Sequence, residues 1–154
     1  MRRAVVLSIL ALSTPGLAAE PVPHPESEAA ATEPAGPSAE MLVARAQLLT
    51  VKQDWPQAEE VFRAALDKDP ERADACRGLG YVLRKQGHGS DARSAYEKAL
   101  ELAPADPETL LGLGETYVSV GRTPDAKPLL ERLRAVDKRH AATLDYVIKT
   151  GKAR

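Results

Sequence analysis

The sequence has 154 residues and a formal net charge of −1, and 44% of its residues are hydrophobic. So small a net charge is not typical of a general nucleic-acid or membrane-surface binder. Only 4% of the residues are aromatic, so a core must be filled by Ala, Leu and Val, which favours closely packed helices. Cys76 is the single cysteine of the sequence and therefore has no intramolecular disulfide partner in it.

Residues 1–19 have the layout of a secretory signal peptide. Arg2 and Arg3 precede a short apolar run, a Pro–Gly break follows it, and small residues stand at Ala18 and Ala19. The run is far shorter than the roughly 20 residues that span a bilayer as a helix. We expect cleavage after Ala19, export to the bacterial periplasm and no stable membrane insertion afterwards. Secretion from the cell and an uncleaved N-terminal anchor are the alternatives.

The next segment, residues 20–37, contains five prolines and only one larger apolar side chain, Val22. Proline donates no backbone hydrogen bond, and nothing in the segment can bury an apolar face. The composition predicts a disordered, partly extended tail that acts as a spacer. The alternative is a docking segment for a proline-binding partner.

From Ser38 onward the sequence repeats itself at a fixed interval of about 34 residues. Self-similarity at an interval of this length is the signature of stacked structural repeats. The columns that keep the interval are Ala58/Ala92/Ala126, Phe62/Tyr96/Leu130, Ala65/Ala99/Leu133, Ala46/Gly80/Gly114, Leu49/Leu83/Tyr117 and Pro70/Pro104, with Lys138 at the third position of the last column.

Each copy predicts a hairpin of two helices. In the second copy Cys76, Leu79, Gly80 and Leu83 are spaced to share one helical face. The small residue at Gly80 lets two helices approach closely, which must offset the low helix propensity of glycine. Gly87 then suits a left-handed turn before the second helix.

The second helices carry predicted start signals. Asp54 is placed to cap one of them, and Thr123 before Pro124 suggests a similar start in the third copy. Pro128 falls inside that third helix. It is harmless if the helix starts late, with Asp125 as the cap, and otherwise predicts a kink.

This pattern resembles the tetratricopeptide repeat family over residues 38–150. The match is best in the second copy, where it reads Cys76, Leu79, Gly80, Leu83, Ala92, Tyr96 and Pro104. The resemblance implies an all-α, right-handed α-solenoid of three hairpins, at about 39–72, 73–106 and 107–140, with a capping helix at 139–150. In that cap, Leu144, Val147 and Ile148 would cover the third repeat, and Lys138, Arg139, His140, Asp145 and Lys149 would face water.

Residues that could bind a metal or take part in catalysis are scattered along the sequence. The histidines, His24, His88 and His140, fall in the tail, a turn and the cap, with no cysteine pair beside them. We therefore expect no metal site, no cofactor and no catalytic activity. Cys76 occupies a core column, which predicts a small buried apolar residue; the alternative is intermolecular pairing or redox sensing in an oxidising compartment.

In the family that the chain resembles, the first helices of the hairpins line a concave groove that holds peptides. Arg77, Tyr81, Arg84 and Lys85 lie in that position on the central repeat and form a basic stripe with one ring. The stripe predicts a peptide or protein ligand with an acidic element. The alternative is a solvated face whose arginines pair with Glu115 or Asp74 across neighbouring helices. The predicted groove residues are Gln47, Arg77, Tyr81, Arg84, Lys85 and Glu115.

The resemblance implies a protein–protein interaction scaffold or assembly adaptor. The predicted signal peptide favours the bacterial cell envelope, and the small net charge predicts no nucleic-acid ligand. Two alternatives are a structural scaffold that self-associates through its end repeats or cap, and a non-catalytic accessory subunit of an envelope enzyme complex. The Lys/Asn carboxylate clamp of chaperone-binding family members is not expected, because Val43, Gln47, Gly78, Glu108 and Gly112 stand at its positions.

Overall fold

A computed structural model describes residues 36–152, so the predicted signal peptide and nearly all of the predicted tail lie outside the described residues. This part of the chain forms helices and no strands. The helices are α1 Ala39–Val51, α2 Trp55–Lys68, α3 Ala73–Lys85, α4 Gly89–Leu102, α5 Pro107–Ser119, α6 Thr123–Val136 and α7 Lys138–Thr150. The predicted all-α repeat fold is confirmed.

The first six helices pack as three consecutive hairpins, α1 with α2, α3 with α4 and α5 with α6. Neighbouring hairpins pack through α2 with α3 and α4 with α5, and α7 packs on both α5 and α6. The first helices also contact each other in sequence, α1 with α3, α3 with α5 and α5 with α7. Each hairpin thus buries its apolar face against the next, as a solenoid requires.

Four helices begin at a side chain that caps them. Ser38, Asp54, Asp106 and Asp137 each accept a hydrogen bond from a backbone N–H in the first turn of the helix that follows. The Asp54 cap was predicted, and its Oδ1 accepts from the backbone N–H of Gln57 at 3.4 Å. These caps fix where α1, α2, α5 and α7 begin.

The turn inside each hairpin needs one residue in the left-handed region. Gly87 and Gly121 have φ angles of 83° and 77°, as predicted. Gln53 holds the same place in the first repeat, one repeat interval before Gly87, with φ 61°. A side chain in this conformation costs on the order of 1 kcal/mol, so the first repeat carries strain that the other two avoid.

The start of α6 differs from the prediction. The residue before the first turn of α6 is Arg122 and not Thr123. Arg122 stands at the position that Asp54 and His88 occupy in the first and second repeats. The late start at Asp125 is also wrong, since α6 begins at Thr123 and runs on past Pro128 to Val136. Pro128 is exposed, so the carbonyl that lacks a helical donor there lies on the solvated side of the helix.

The core runs along the solenoid and is built from the predicted columns. The rings of Phe62 and Tyr96 are among the largest fully buried side chains. A Cβ on Gly80 would lie 3.0 Å from the Tyr96 ring, and one on Gly114 would lie 2.6 Å from Leu144, so both glycines are needed for close packing. Leu144 is completely buried, which shows how α7 closes the core behind the third repeat.

Among residues 36–152, none of the helices combines the length and the apolar character that a bilayer span requires.

Candidate functional site

A groove of about 560 Å³ runs across the first helices of the repeats. Four helices supply its walls: Gln47, Thr50 and Val51 come from α1, Arg77, Tyr81 and Arg84 from α3, Glu108, Leu111 and Glu115 from α5, and His140 from α7. The groove exists because these helices contact one another in order and lie side by side. Its lining is mixed in character, with aromatic and aliphatic carbon between charged ends.

Two glycines allow aromatic rings to pack directly against the helix backbone at the floor of the groove. A Cβ on Gly78 would collide with the ring of Phe62, and a Cβ on Gly112 would lie 2.6 Å from Cζ of Tyr96. All four residues line the groove, and the two rings, 1% and 2% exposed, pack directly beneath the glycine backbone of its floor. Sequence reasoning missed this role, although Gly78 and Gly112 stand one repeat interval apart, as Phe62 and Tyr96 do.

The structure brings five of the six predicted groove residues together. Gln47, Arg77, Tyr81, Arg84 and Glu115 all line the groove. Lys85 is exposed and lies outside the lining, with its ammonium nitrogen 5.4 Å from the centre of the Tyr81 ring. Whether these residues contact a ligand stays a prediction.

The first arginine of the basic stripe is paired across two helices. Nη1 of Arg77 lies 2.8 Å from Oε2 of Glu108 and 3.3 Å from Oδ2 of Asp106. Asp74 is not its partner, because Asp74 pairs instead with Arg72 at 2.8 Å. The Glu108 side chain is 61% exposed, so its ion pair with Arg77 is open to exchange with solvent or a ligand.

Asp106 joins this arginine to the start of α5. It caps the helix by accepting hydrogen bonds from the backbone N–H of Thr109 at 2.9 Å and from the Thr109 hydroxyl. Burial acts to raise the pKa of Asp106, but the hydrogen bonds from Thr109 and the charge of Arg77 outweigh it and hold the pKa below its usual range. Asp106 therefore stays charged and fixes Arg77 at the groove edge.

The second arginine forms a buried ion pair, as the alternative interpretation of the stripe anticipated. Nη2 of Arg84 lies 3.0 Å from Oε2 of Glu115, and the two side chains are only 12% and 7% exposed. Burial raises the pKa of the Glu115 carboxyl, while the charges of Arg84 and Lys85 act to lower it. The Nε of Arg84 is buried without a hydrogen-bond partner among the described residues. This pair joins α3 to α5 and is costly to disrupt.

Tyr81 links the groove to the first repeat. Its ring meets the Trp55 ring edge-on, with 6.2 Å between centroids, and the guanidinium carbon of Arg84 lies 5.5 Å from its centre. Lys85 approaches the same ring. Aromatic and cation–π contacts together hold this side chain in one position, so the groove wall is preorganised at Tyr81.

One groove residue comes from the cap, where sequence reasoning placed it in water. His140 is half-buried and lines the groove, and its Nδ1 lies 2.8 Å from Oδ2 of Asp137. Asp137 ends α6 and caps α7, which turns the first residues of α7 back towards α5. The third repeat has Lys138 where the first two have Pro70 and Pro104. In place of that proline, Asp137 alone separates α6 from α7.

The described residues offer binding chemistry and no metal chemistry. No group of three or more His, Cys, Asp or Glu side chains in residues 36–152 is arranged to hold a metal ion. Cys76 is buried in the core, and burial raises the pKa of its thiol, which disfavours the reactive thiolate.

Two sequence profiles described as tetratricopeptide repeat match the chain, over residues 43–107 and 83–144. Together they cover the three hairpins and reach into α7. The chain belongs to the tetratricopeptide repeat family. The resemblance found in the repeat columns is therefore confirmed.

Known proteins are similar to this chain in sequence. The peroxisomal targeting signal receptor of Komagataella phaffii is 37% identical over 76 residues, which is 49% of this chain and 13% of the receptor. The chain therefore spans only a small part of that relative.

Solved structures share the fold. The TPR2B domain of yeast Sti1, solved in complex with an Hsp70 peptide, has a TM-score of 0.69 and 20% identity, covering 74% of this chain and 98% of that one. PcrH, solved with the chaperone-binding region of PopD, has a TM-score of 0.67 and 19% identity, covering 73% and 89%. At this identity the likeness concerns the fold.

Proposed function

We propose that this chain is a protein-interaction adaptor of the bacterial cell envelope that binds an extended segment of a partner protein in its concave groove. The observation that carries the proposal is the groove itself, whose floor is formed where the Phe62 and Tyr96 rings pack against Gly78 and Gly112. A concave surface with apolar floor and polar rim suits a peptide, whose side chains and backbone need both.

Two fold neighbours that were solved with a bound peptide or protein segment support peptide binding by this fold. The Sti1 domain was solved with an Hsp70 peptide and PcrH with a segment of PopD. Solenoids in general present extended concave surfaces for binding. Because a fold alone does not fix a ligand, the details of the proposal depend on the residues of this groove.

The proposed ligand has an apolar side chain followed by an acidic one. The apolar side chain would rest on the floor against Phe62 and Tyr96, beside Leu111. The acidic group would bind Arg77 by displacing Glu108, whose exposed ion pair is worth at most about 1 kcal/mol. Arg84 is less suited to this role, because its partner Glu115 is buried with it.

Site-specific photo-crosslinking in bacterial cells tests the proposal. A benzophenone side chain is introduced at Thr50 or Leu111 in the groove, and at Glu60, an exposed residue of α2 outside the groove, as the matched control. We expect a defined partner to crosslink from the two groove positions and not from Glu60. Equal capture from all three positions would rule out the groove.

Charge reversal then tests the acidic element. Arg77→Glu should weaken binding of the captured segment by about tenfold or more, because it replaces attraction by repulsion at the groove edge. Lys98→Glu on α4 changes the net charge equally outside the groove lining and serves as the control. An unchanged dissociation constant for Arg77→Glu would remove the acidic element from the proposal.

The envelope location is part of the proposal and is tested separately. Fractionation of cells that express the full chain should place it in the periplasm, and N-terminal sequencing should begin at Glu20. A cytoplasmic chain that retains residues 1–19 would contradict export while leaving the groove proposal open to its own test.

A further inference from the structure

An unpartnered apolar face lies on α1, on the side of the helix opposite its core residues Leu42 and Ala46. Met41 and Leu48 are 56% and 55% exposed, and Val51 is 79% exposed. Ala44 is exposed between them. These four residues, Met41, Ala44, Leu48 and Val51, are called the α1 seam below.

The other repeats show what this face normally contacts. The residues one repeat later on α3, Ala75 and Val82, are completely buried, and those on α5, Thr109 and Thr116, are buried as well. In both cases the preceding hairpin covers the face, through α2 on α3 and α4 on α5. At Met41 and Leu48 the α1 seam is therefore an inter-repeat contact surface without a preceding repeat in the described chain, whereas the counterparts of Val51, Lys85 and Ser119, are exposed.

The two ends of the solenoid are unlike. At the C-terminal end α7 covers the third repeat, and its exposed residues include the charged Lys138, Arg139 and Lys149. A polar outer face is what a terminal repeat needs in water. The exposed surface of α7 also includes Tyr146 at 43%, but it carries no row of apolar side chains like the seam, so a head-to-tail array is disfavoured. An identical seam on a second copy is a better match.

The spacing of the seam is that of a two-helix contact. Met41, Ala44, Leu48 and Val51 follow one another at intervals of three, four and three residues, which is the a and d spacing of a coiled coil. We propose that two copies of this chain associate through their α1 seams, side by side and parallel, about a two-fold axis.

Charges beside the seam select the parallel arrangement. Glu40 and Arg45, both exposed, occupy the g and e positions that flank the a and d residues. In a parallel pair Glu40 of each copy faces Arg45 of the other, which gives two attractive contacts by symmetry. In an antiparallel pair that aligns the same seams, the two Arg45 side chains meet across the axis and repel.

The contact is small, so the dimer should be reversible. A pair of helices of 13 residues buries less area than the roughly 1,200 Å² of a stable protein interface. We expect a dissociation constant on the order of 10 to 100 µM for the dimer. Val51 belongs both to the seam and to the groove lining, whereas the groove residues on α3 and α5 lie outside the seam.

Sedimentation equilibrium of the full chain, from about 5 to about 200 µM, measures the association. Leu48→Glu should weaken it by at least about tenfold, because it places a carboxylate at the centre of the seam. Val136→Glu is the matched control, since Val136 on α6 is similarly exposed at 48% and lies outside the seam. Far-UV circular dichroism checks that each variant keeps its helices.

Charge exchange tests the parallel register. Glu40→Arg and Arg45→Glu should each weaken association, and the double variant should restore it, because it recreates the opposite-charge pairs. A monomer at every concentration would overturn the proposal, and would instead fit a seam covered by another protein or by residues of the same chain. Association that survives Leu48→Glu, or that Val136→Glu abolishes equally, would overturn it too. Single reversals without effect would overturn the parallel arrangement.

Discussion

The buried ion pair between Arg84 and Glu115 gives a sharp test of how α3 and α5 are held together. Replacing Arg84 by Met keeps most of the aliphatic stem and removes the charge. Glu115, 7% exposed, is then left buried without its partner at 3.0 Å. Breaking a buried pair in this way costs about 3 to 5 kcal/mol, and we expect about 3 because Arg84 keeps some solvent contact.

The loss of stability caused by Arg84→Met should depend on pH. Burial raises the pKa of Glu115 in the folded state, so the folded chain binds its proton more tightly than the unfolded chain. The free energy of unfolding therefore falls as pH rises through that raised pKa. Arg84→Met removes one of the two charges that hold the pKa down, so the variant should recover stability on acidification from about pH 7 to about pH 5.

Urea denaturation followed by far-UV circular dichroism measures these effects. The double variant Arg84→Met/Glu115→Gln should lie within about 1 kcal/mol of the wild type, because no charge is left unpaired. Arg63→Met is the control, since Arg63 forms an exposed ion pair with Glu59 on α2 and should cost less than about 0.5 kcal/mol. A loss of less than about 1 kcal/mol for Arg84→Met, or an equal loss at both pH values, would refute the reasoning.

Three further predictions concern stability. Gly112→Ala should destabilise the fold by about 1 to 3 kcal/mol despite the better helix propensity of alanine, because the added Cβ would lie 2.6 Å from the Tyr96 ring. Gly36→Ala is the control and should be near neutral, and urea denaturation midpoints compare the two variants. Gln53→Gly should raise the midpoint by up to about 1 kcal/mol by relieving the left-handed strain at φ 61°, and a lowered midpoint would contradict this. Leu144→Ala should cost about 2 to 5 kcal/mol in the same assay, because Leu144 is completely buried between the cap and the third repeat; a loss below about 1 kcal/mol would mean that α7 contributes little to the core.

The strained turn at Gln53 and the bare α1 seam lie in the same repeat. The other repeats have glycine at the turn and a covered face at the seam. The first repeat is therefore the part of the described chain with the least internal support. Hydrogen exchange should be fastest there in the monomer, and association through the seam would slow it.

Local patterns were sufficient to predict the fold. The constant repeat interval, the small residues at Gly80 and Gly114 and the turn glycines follow directly from what a helical hairpin needs at each position. The predicted Asp54 cap was correct for the same reason, since a cap depends on its own first turn. The predicted start at Thr123 is wrong because a proline in the first turn is compatible with a cap at either Arg122 or Thr123, and the repeat register places the cap at Arg122.

Only the tertiary structure determines which residues line the groove and which of its charges are paired. Spacing placed Arg77 and Arg84 on one helical face, and it could not tell that Glu108 and Glu115 of the next repeat lie within an ion-pair distance of them. It also could not tell that rings from the second helices pack against Gly78 and Gly112 at the groove floor, or that His140 returns from the cap. Periodicity fixes which residues of a helix share a face, because that depends on the helix alone. Which charges are neutralised and which rings pack beneath the groove floor depends on how neighbouring helices are stacked, and that is a property of the assembled solenoid.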